Sequence, residues 1–142
     1  MLQITLTQLE QIKTHAVKTY PEECCGLLLG NNKLVQQVWS TENSWSGEIF
    51  NTPEGSKGNR FSIAPQTMLE VSKKARQLNL NIIGIYHSHP DHPPQPSEYD
   101  RAIAHQGYSY VIISLTQGQP EKILSWVLDE NRQFHPEEIM TI

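Results

Sequence analysis

The chain lacks several features that would place it in other classes of protein. Its two cysteines, Cys24 and Cys25, are neighbours, so a disulfide framework is excluded and a reducing cytoplasm is predicted. No stretch approaches the ~18 apolar residues of a membrane-spanning helix, and the first residues lack the pattern of a signal peptide. Lysine and arginine (11) are outnumbered by aspartate and glutamate (15). The net charge of −4 argues against a general nucleic-acid binder.

The residues that are present predict one α/β domain. A length of 142 residues suits a single domain over residues 1–142. Helical periodicity predicts helices over residues 6–19, from Pro65 onward, and from Ser97 to a C-cap at Gly107. Apolar runs predict strands over residues 24–29, 33–40, 82–87, 108–115 and 122–128, with a further short strand after residue 131. This order predicts an α-β sandwich, a mixed sheet flanked by helices.

Residues 41–60 interrupt this pattern. They are rich in Asn, Ser, Gly and Thr and predict a long polar insertion loop, with one strand near Ile49 and Phe50. Loops of this length are uncommon in compact domains unless they are functional or mobile.

Histidine is the unusual feature of the composition. Three of the six histidines, His87, His89 and His92, fall within six residues. On an extended segment His87 and His89 share one face, whereas His92 falls out of alternation and is predicted to be exposed. Asp100 lies one turn into the helix predicted to begin at Ser97. Two imidazoles and one carboxylate leave a fourth tetrahedral position for water, the arrangement of a catalytic zinc site.

Hydrolysis at such a site needs a general base and a donor to the oxyanion. Glu23 and Ser97 are the candidates, and each has a competing interpretation. Ser97 and Asp100 also form the pattern of a capped helix start. Glu23 has a rival in Glu22, which periodicity does not separate from it.

Together these residues resemble a known motif. Glu23, His87-Ser88-His89-Pro90, Ser97 and Asp100 resemble the JAMM motif of MPN-plus metalloproteases, and the segments at residues 20–30 and 61–65 are similar to other segments of that family. The resemblance covers residues 2–135 and implies an MPN fold, similar to that of cytidine deaminases. It also implies that His87, His89 and Asp100 bind zinc, that Glu23 handles the proton of the attacking water, and that Ser97 stabilises the oxyanion.

The resemblance also implies a function. It predicts a zinc-dependent metallopeptidase that hydrolyses a peptide or isopeptide bond next to the C-terminal Gly-Gly of a ubiquitin-like protein. The short form is similar to bacterial members that act on ubiquitin-like sulfur-carrier proteins. The implied partners are the tail of such a carrier and an adenylating activating enzyme of the same pathway. A homodimer is left open, and no nucleic-acid or membrane partner is expected.

Other functions compete with this one. The same residues could be structural in a non-catalytic MPN-like interaction module, or could serve a peptidase of the family that acts on cell-wall peptides. A zinc deaminase is set aside because the chain has neither His-x-Glu nor Pro-Cys-x-x-Cys at this place.

Overall fold

The computed structural model describes residues 1–47 and 55–142. The elements that lie within these ranges are, in chain order, β1 (Leu2–Ile4), α1 (Leu6–Thr19), β2 (Cys25–Asn31), β3 (Leu34–Thr41), α2 (Pro65–Gln77), β4 (Asn81–Pro90), α3 (Glu98–Ile103), β5 (Ser109–Thr116), β6 (Gln119–Leu128), β7 (Phe134–Glu137) and β8 (Ile139–Thr141). No helix in the described ranges is long and apolar enough to cross a membrane. The strand predicted near residues 49 and 50 lies outside the described residues.

The strands form one mixed sheet in the order β7-β6-β5-β4-β2-β3-β1-β8. Strand β4 lies near its centre, antiparallel to β2 and parallel to β5. Strands β7 and β8 occupy opposite edges although only Glu138 separates them in the chain. The sheet must therefore curl until its two edges come close together.

A polar network spans the curl of the sheet, and we call its four residues, Lys33, Ser109, Ser125 and Glu137, the edge network. Lys33 Nζ lies 2.8 Å from Glu137 Oε2 and donates a hydrogen bond of 2.7 Å to Ser109 Oγ. Ser125 Oγ donates to Glu137 Oε1 over 2.8 Å. These contacts tie β7 to the β2–β3 turn, to the start of β5 and to the neighbouring strand β6.

Helices cover both faces of the sheet. Along β2, Leu28 packs in the cluster that contains Ile12 and Ala16 of α1. Its neighbour Leu27 packs on the opposite face, in the cluster that contains Val71 and Ala75 of α2. Successive side chains of a strand point to opposite faces, so an uninterrupted apolar run is buried on both sides. The prediction of a mixed sheet flanked by helices is confirmed.

Helix α1 has the predicted limits, but its N-cap lies two residues before the expected one. The pattern of Thr7 and Glu10 suggests a capping box, whereas the box is formed by Thr5 and Gln8. Thr5 Oγ1 accepts the Gln8 N–H over 3.1 Å, and Gln8 Oε1 accepts the Thr5 N–H over 2.9 Å. Thr5 is the last residue with extended backbone, which an N-cap requires, and Thr7 already lies inside the helix.

Helix α3 is shorter than predicted. It ends at Ile103, and Gly107, the expected C-cap, instead adopts φ 92° in the turn before β5. Arg132 Nη2 donates to the carbonyl oxygens of Arg101 and Ala104, over 2.6 Å and 3.2 Å. A side chain from the distant β6–β7 hairpin therefore satisfies the end of this helix, which no local signal in the sequence reveals.

Candidate metal centre

Strand β4 places two histidines side by side. His87 and His89 are two residues apart on this central strand, and both side chains are buried. The ring of Phe61 stacks on that of His87, with centroids 4.4 Å apart and planes inclined by 22°. The predicted strand over residues 82–87 extends to Pro90, because β5 pairs with β4 as far as Leu115.

Helix α3 brings the third predicted ligand. Ser97 is its N-cap: Ser97 Oγ accepts the N–H of Asp100 over 3.0 Å, and Asp100 Oδ2 accepts the N–H of Ser97 over 2.9 Å. The same Oδ2 atom lies 3.2 Å from Nε2 of His87 and 3.1 Å from Nε2 of His89. The capping interpretation is therefore correct, and the cap holds the Asp100 carboxylate against the two imidazoles.

The three ligand atoms form a triangle of metal-binding size. The two Nε2 atoms of His87 and His89 are 3.2 Å apart, close to their distances from Asp100 Oδ2. A tetrahedral zinc ion with bonds of about 2.0 to 2.1 Å separates its ligand atoms by about 3.3 Å. Two imidazole nitrogens and one carboxylate oxygen at these separations fit a zinc ion with one position left for another ligand.

The hydrogen bonding of the histidines suits metal binding. His89 Nδ1 lies 2.8 Å from the carbonyl oxygen of Pro93. A carbonyl only accepts, so Nδ1 donates the proton of this hydrogen bond, and Nε2 is the ring nitrogen directed at the cluster. Burial lowers the pKa of His87, and the attraction of Asp100 opposes this only in part, so the His87 ring is neutral. Neutral imidazole is the form that binds metal.

Asp100 supplies the negative charge of the triangle. Burial by itself would raise the pKa of its carboxyl group. The close contacts of its Oδ2 atom with His87 and His89, at 3.2 and 3.1 Å, outweigh burial and hold that pKa below its ordinary value. Asp100 is therefore ionised at neutral pH.

Glu23 lies next to this triangle, just before β2. Its side chain is buried, and a carboxylate oxygen lies within 4.8 Å of ligand nitrogens of His87 and His89. Burial, assisted by Asp100 and opposed by Arg60, raises the pKa of Glu23 to about 9. Its Oε1 atom has no hydrogen-bond partner among the described residues. Its rival Glu22 is exposed, so the fold selects Glu23.

A cavity of about 310 Å³ opens beside these residues. Its lining includes Glu23, His89 and Ser97, together with Arg60 and His92. His92 is exposed, as its position out of alternation predicts, and it takes no part in the triangle of ligand atoms.

The cysteines do not form part of a nucleophilic pair. Burial raises the pKa of Cys24 to about 12 and that of Cys25 to about 11, so both are neutral thiols. Cys25 Sγ contacts Thr41 Oγ1 at 3.4 Å. Ser88 points away from the triangle, because its Oγ accepts the N–H of Cys24 over 2.8 Å.

Two residues of the site carry no signal that sequence reasoning detected. Asn43 Nδ2 donates to the carbonyl oxygens of Glu23, over 3.0 Å, and of Arg60, over 2.9 Å. It thereby joins two walls of the cavity. Arg60 itself lines the cavity with its guanidinium group over the ring of Tyr99. These three contacts link residues between 17 and 39 positions apart, beyond the reach of local periodicity.

The chain belongs to the family described as prokaryotic homologs of the JAB domain, whose model matches residues 6–129. It is also similar to a desampylase from Pyrococcus furiosus. The two are 29% identical over 113 residues, which are 79% of this chain and 71% of the relative. The resemblance to the JAMM/MPN family is confirmed.

Solved structures agree with this assignment. A protein from Desulfitobacterium hafniense, known from a solution structure, is 29% identical and superposes with a TM-score of 0.82 over 100% of this chain and 93% of that one. A JAB1/MPN domain protein from Archaeoglobus fulgidus superposes with a TM-score of 0.62 at 16% identity, over 99% of both chains. A structure described as a JAMM metalloprotease-like zinc site in the proteasome and signalosome gives 0.60 at 15% identity, over 100% and 98%. The last two share the fold.

Proposed function

We propose that this protein is a zinc-dependent metallopeptidase that hydrolyses a peptide or isopeptide bond next to the C-terminal Gly-Gly of a ubiquitin-like protein, such as a sulfur carrier. The observation that carries the proposal is the convergence of His87 Nε2, His89 Nε2 and Asp100 Oδ2 within 3.1 to 3.2 Å, beside the buried Glu23. The similarity to a desampylase supports a ubiquitin-like protein as the substrate.

In this proposal His87, His89 and Asp100 hold the metal. A zinc ion bound there would supply Lewis acidity, lowering the pKa of a water molecule and polarising the substrate carbonyl. The hydrogen bond from His89 Nδ1 to the Pro93 carbonyl keeps that ring oriented, and the Ser97 cap keeps Asp100 in place. Such supporting contacts commonly fix the orientation of metal ligands.

Glu23 moves the proton. Its carboxylate lies beside the ligand nitrogens, and the free Oε1 atom is able to accept a hydrogen bond from the attacking water. A cation held by the neighbouring ligands would lower the raised pKa of Glu23 and favour its carboxylate form. As a carboxylate, Glu23 takes the proton of that water and then donates it to the leaving amine, so that one group serves as base and acid in turn.

Ser97 combines its capping role with a catalytic one. Its Oγ accepts the N–H of Asp100 through a lone pair, which leaves the hydroxyl proton available. Ser97 also lines the cavity with Glu23 and His89. We assign to its O–H the donation of a hydrogen bond to the oxyanion that forms as water adds to the carbonyl.

Substitution of Glu23 tests the assignment. The purified, zinc-loaded protein is incubated with ubiquitin-like proteins extended beyond Gly-Gly, and the products are measured by mass spectrometry. Cleavage after Gly-Gly is expected, and Glu23→Gln is expected to reduce turnover by about 100- to 10,000-fold while retaining one zinc per chain. The matched control is Glu22→Gln, the same change at an exposed neighbour, which should keep activity.

Three results would contradict the proposed function or the role of Glu23. Absence of cleavage by the zinc-loaded protein across a broad panel of extensions would overturn the peptidase. Loss of zinc in Glu23→Gln would show that Glu23 is a ligand instead of the proton carrier. A protein that binds no zinc at all would favour the non-catalytic interaction module.

The wider setting stays a prediction. Three further expectations remain predictions: a cytoplasmic location, an adenylating activating enzyme of the same pathway, and a homodimer. The single domain over residues 1–142, with its insertion at 41–60, likewise stays a prediction.

A further inference from the structure

The two histidines of the candidate metal centre are held in place by different means. His89 Nδ1 donates to the carbonyl oxygen of Pro93 over 2.8 Å, the kind of contact that commonly fixes the orientation of a metal-binding imidazole. The Nδ1 atom of His87 is buried and has no hydrogen-bond partner within the part of the chain that the structure describes. Among these residues, His87 therefore lacks the contact that orients its neighbour.

The imidazole of His87 instead packs flat against the ring of Phe61. The two centroids are 4.4 Å apart, and the planes are inclined by only 22°. The other ring contacts between described residues are tilted or edge-on, so this pair is the one parallel stack among them. Because the two faces lie against each other, neither ring is able to tilt without losing the favourable contact of the stack.

The backbone on both sides of Phe61 is fixed by hydrogen bonds. Tyr99, which directly precedes the third predicted ligand in α3, donates its hydroxyl to the carbonyl oxygen of Phe61 over 2.9 Å. Asn43 Nδ2 donates to the carbonyl oxygen of Arg60 over 2.9 Å, and Asn43 Oδ1 accepts the N–H of Ser62 over 3.2 Å. The Phe61 ring is therefore held against His87 by a segment that is itself anchored.

Phe61 also separates His87 from open space. A second cavity, of about 470 Å³, is lined by Phe61 together with residues of the surrounding elements, among them Met68 of α2, Ile85 of β4 and Ile103 of α3. His87 is not part of the lining of this cavity. A shorter side chain at position 61 would extend the open space toward the imidazole, which would then be free to tilt.

We propose that Phe61 is a positioning residue of the metal centre, which orients His87 by stacking where His89 is oriented by a hydrogen bond. A tilt of the His87 ring would move its Nε2 atom out of the triangle, in which it lies 3.2 Å from both His89 Nε2 and Asp100 Oδ2. Phe61 acts only through His87 and takes no part in the reaction. The inference rests on the metal site of the proposed function and does not depend on hydrolysis.

The test measures the affinity for zinc by competition with a chromophoric chelator. Phe61→Leu and Phe61→Met keep an apolar side chain but remove the flat ring. Both should bind zinc about 10-fold more weakly, because loss of a contact that orients a ligand commonly weakens metal binding by about 10- to 100-fold. Phe61→Tyr keeps the ring and should stay within about threefold of the unsubstituted protein. The matched control is Phe134→Leu, the same change at a ring that packs edge-on against Tyr110, which should keep the affinity.

Two further measurements separate the orientation of His87 from a general loosening of the core. Thermal unfolding without metal gives the stability of each variant, and Phe61→Leu and Phe134→Leu should both unfold at a lower temperature than the unsubstituted protein. The visible absorption spectrum of the cobalt(II)-loaded protein reports the coordination geometry of the metal. This spectrum should change in Phe61→Leu and Phe61→Met and remain unchanged in Phe61→Tyr and Phe134→Leu.

The outcomes distinguish this inference from the proposed function. An unchanged zinc affinity or cobalt spectrum in Phe61→Leu and Phe61→Met would overturn the role of Phe61 and leave the peptidase intact. An equal loss of affinity in Phe61→Tyr or in Phe134→Leu would overturn it as well. A protein that binds neither metal would overturn this inference together with the metal centre. Zinc binding that depends on Phe61, without cleavage of any substrate, would contradict the peptidase and support the positioning role.

Discussion

The candidate metal centre and the edge network each contain a carboxylate side chain that is almost hidden from solvent, but the partners of the two carboxylates differ. The side chain of Asp100 is 5% exposed and that of Glu137 is 6% exposed. Both oxygens of Glu137 have partners, from Ser125 and Lys33. In the metal centre, by contrast, Glu23 Oε1 and His87 Nδ1 are buried without a hydrogen-bond partner in residues 1–47 and 55–142.

This difference distinguishes buried polar groups that stabilise the fold from buried polar groups that are available for function. Most buried polar groups in proteins are satisfied by protein or by ordered water, and an exception calls for an explanation. The edge network is complete by itself and holds the curled sheet together. The metal centre directs two imidazoles and one carboxylate at a single point, an arrangement that a bound cation would complete.

Added zinc should give the largest effect of these tests. It should stabilise the protein through the metal centre and not through the edge network. Zinc at ~1,000 times its Kd should raise the free energy of unfolding by about 4 kcal/mol, because it binds the folded chain alone. His89→Ala should remove this response, and His92→Ala, a histidine outside the ligand triangle, should keep it. Thermal unfolding with and without zinc measures the shift. Stabilisation of His89→Ala equal to that of the unsubstituted protein would exclude this site.

Substitution of Ser97 tests whether this residue both caps α3 and donates a hydrogen bond to the oxyanion. Ser97→Ala removes the cap acceptor and the hydroxyl donor, so we expect about 1 kcal/mol lower stability and about 100-fold slower turnover. Ser97→Thr retains both groups and should recover most of each loss. Urea unfolding and kcat are measured in parallel. A loss of stability with unchanged kcat would restrict Ser97 to the cap.

Substitution of Glu137 should give the smallest effect of the three tests. It should lower stability and leave turnover unchanged. Glu137→Gln weakens the bond to Lys33, and we expect a loss of about 1 kcal/mol at neutral pH after screening by water. Glu138→Gln, the same change at an exposed neighbour, is the control. Urea unfolding measures both, and turnover should not change. An equal loss in both variants would show that the edge network contributes nothing specific.

The pH dependence of that effect has a definite sign. Burial alone would raise the pKa of Glu137, but the hydrogen bonds from Lys33, Ser109 and Ser125 outweigh it and lower that pKa. A carboxyl group whose pKa is lower in the folded state stabilises the protein above its ordinary pKa. This stabilisation disappears as the pH falls through the lowered value. The gap between the unsubstituted protein and Glu137→Gln should therefore close in acid.

Much of the site follows from local patterns. The spacing of His87 and His89 on an apolar run predicts that both lie on one face of a strand, and the structure agrees. The pattern of Ser97 and Asp100 predicts a capped helix, and the cap is present. Both patterns depend on backbone geometry within a few residues, which periodicity captures well.

Other features depend on contacts across the fold. The end of α3 is set by Arg132, about 30 residues away, so the expected cap at Gly107 was wrong. The selection of Glu23 over Glu22 follows from burial beside β4. The position of Arg60 follows from Asn43 and Tyr99, each on a different segment.

The sequence by itself determined the secondary structure that carries the site and the chemical types of the candidate ligands. Strand alternation and helix capping are local properties, so the residues involved lie within one or two turns of each other. The resemblance to a known motif already implied that Asp100 and Glu23 act together with the two histidines. The tertiary structure alone decided the distances at which these groups meet, and it alone placed Arg60 on the same cavity. Those distances depend on how the curled sheet packs against its helices, and packing joins residues that the linear pattern leaves far apart.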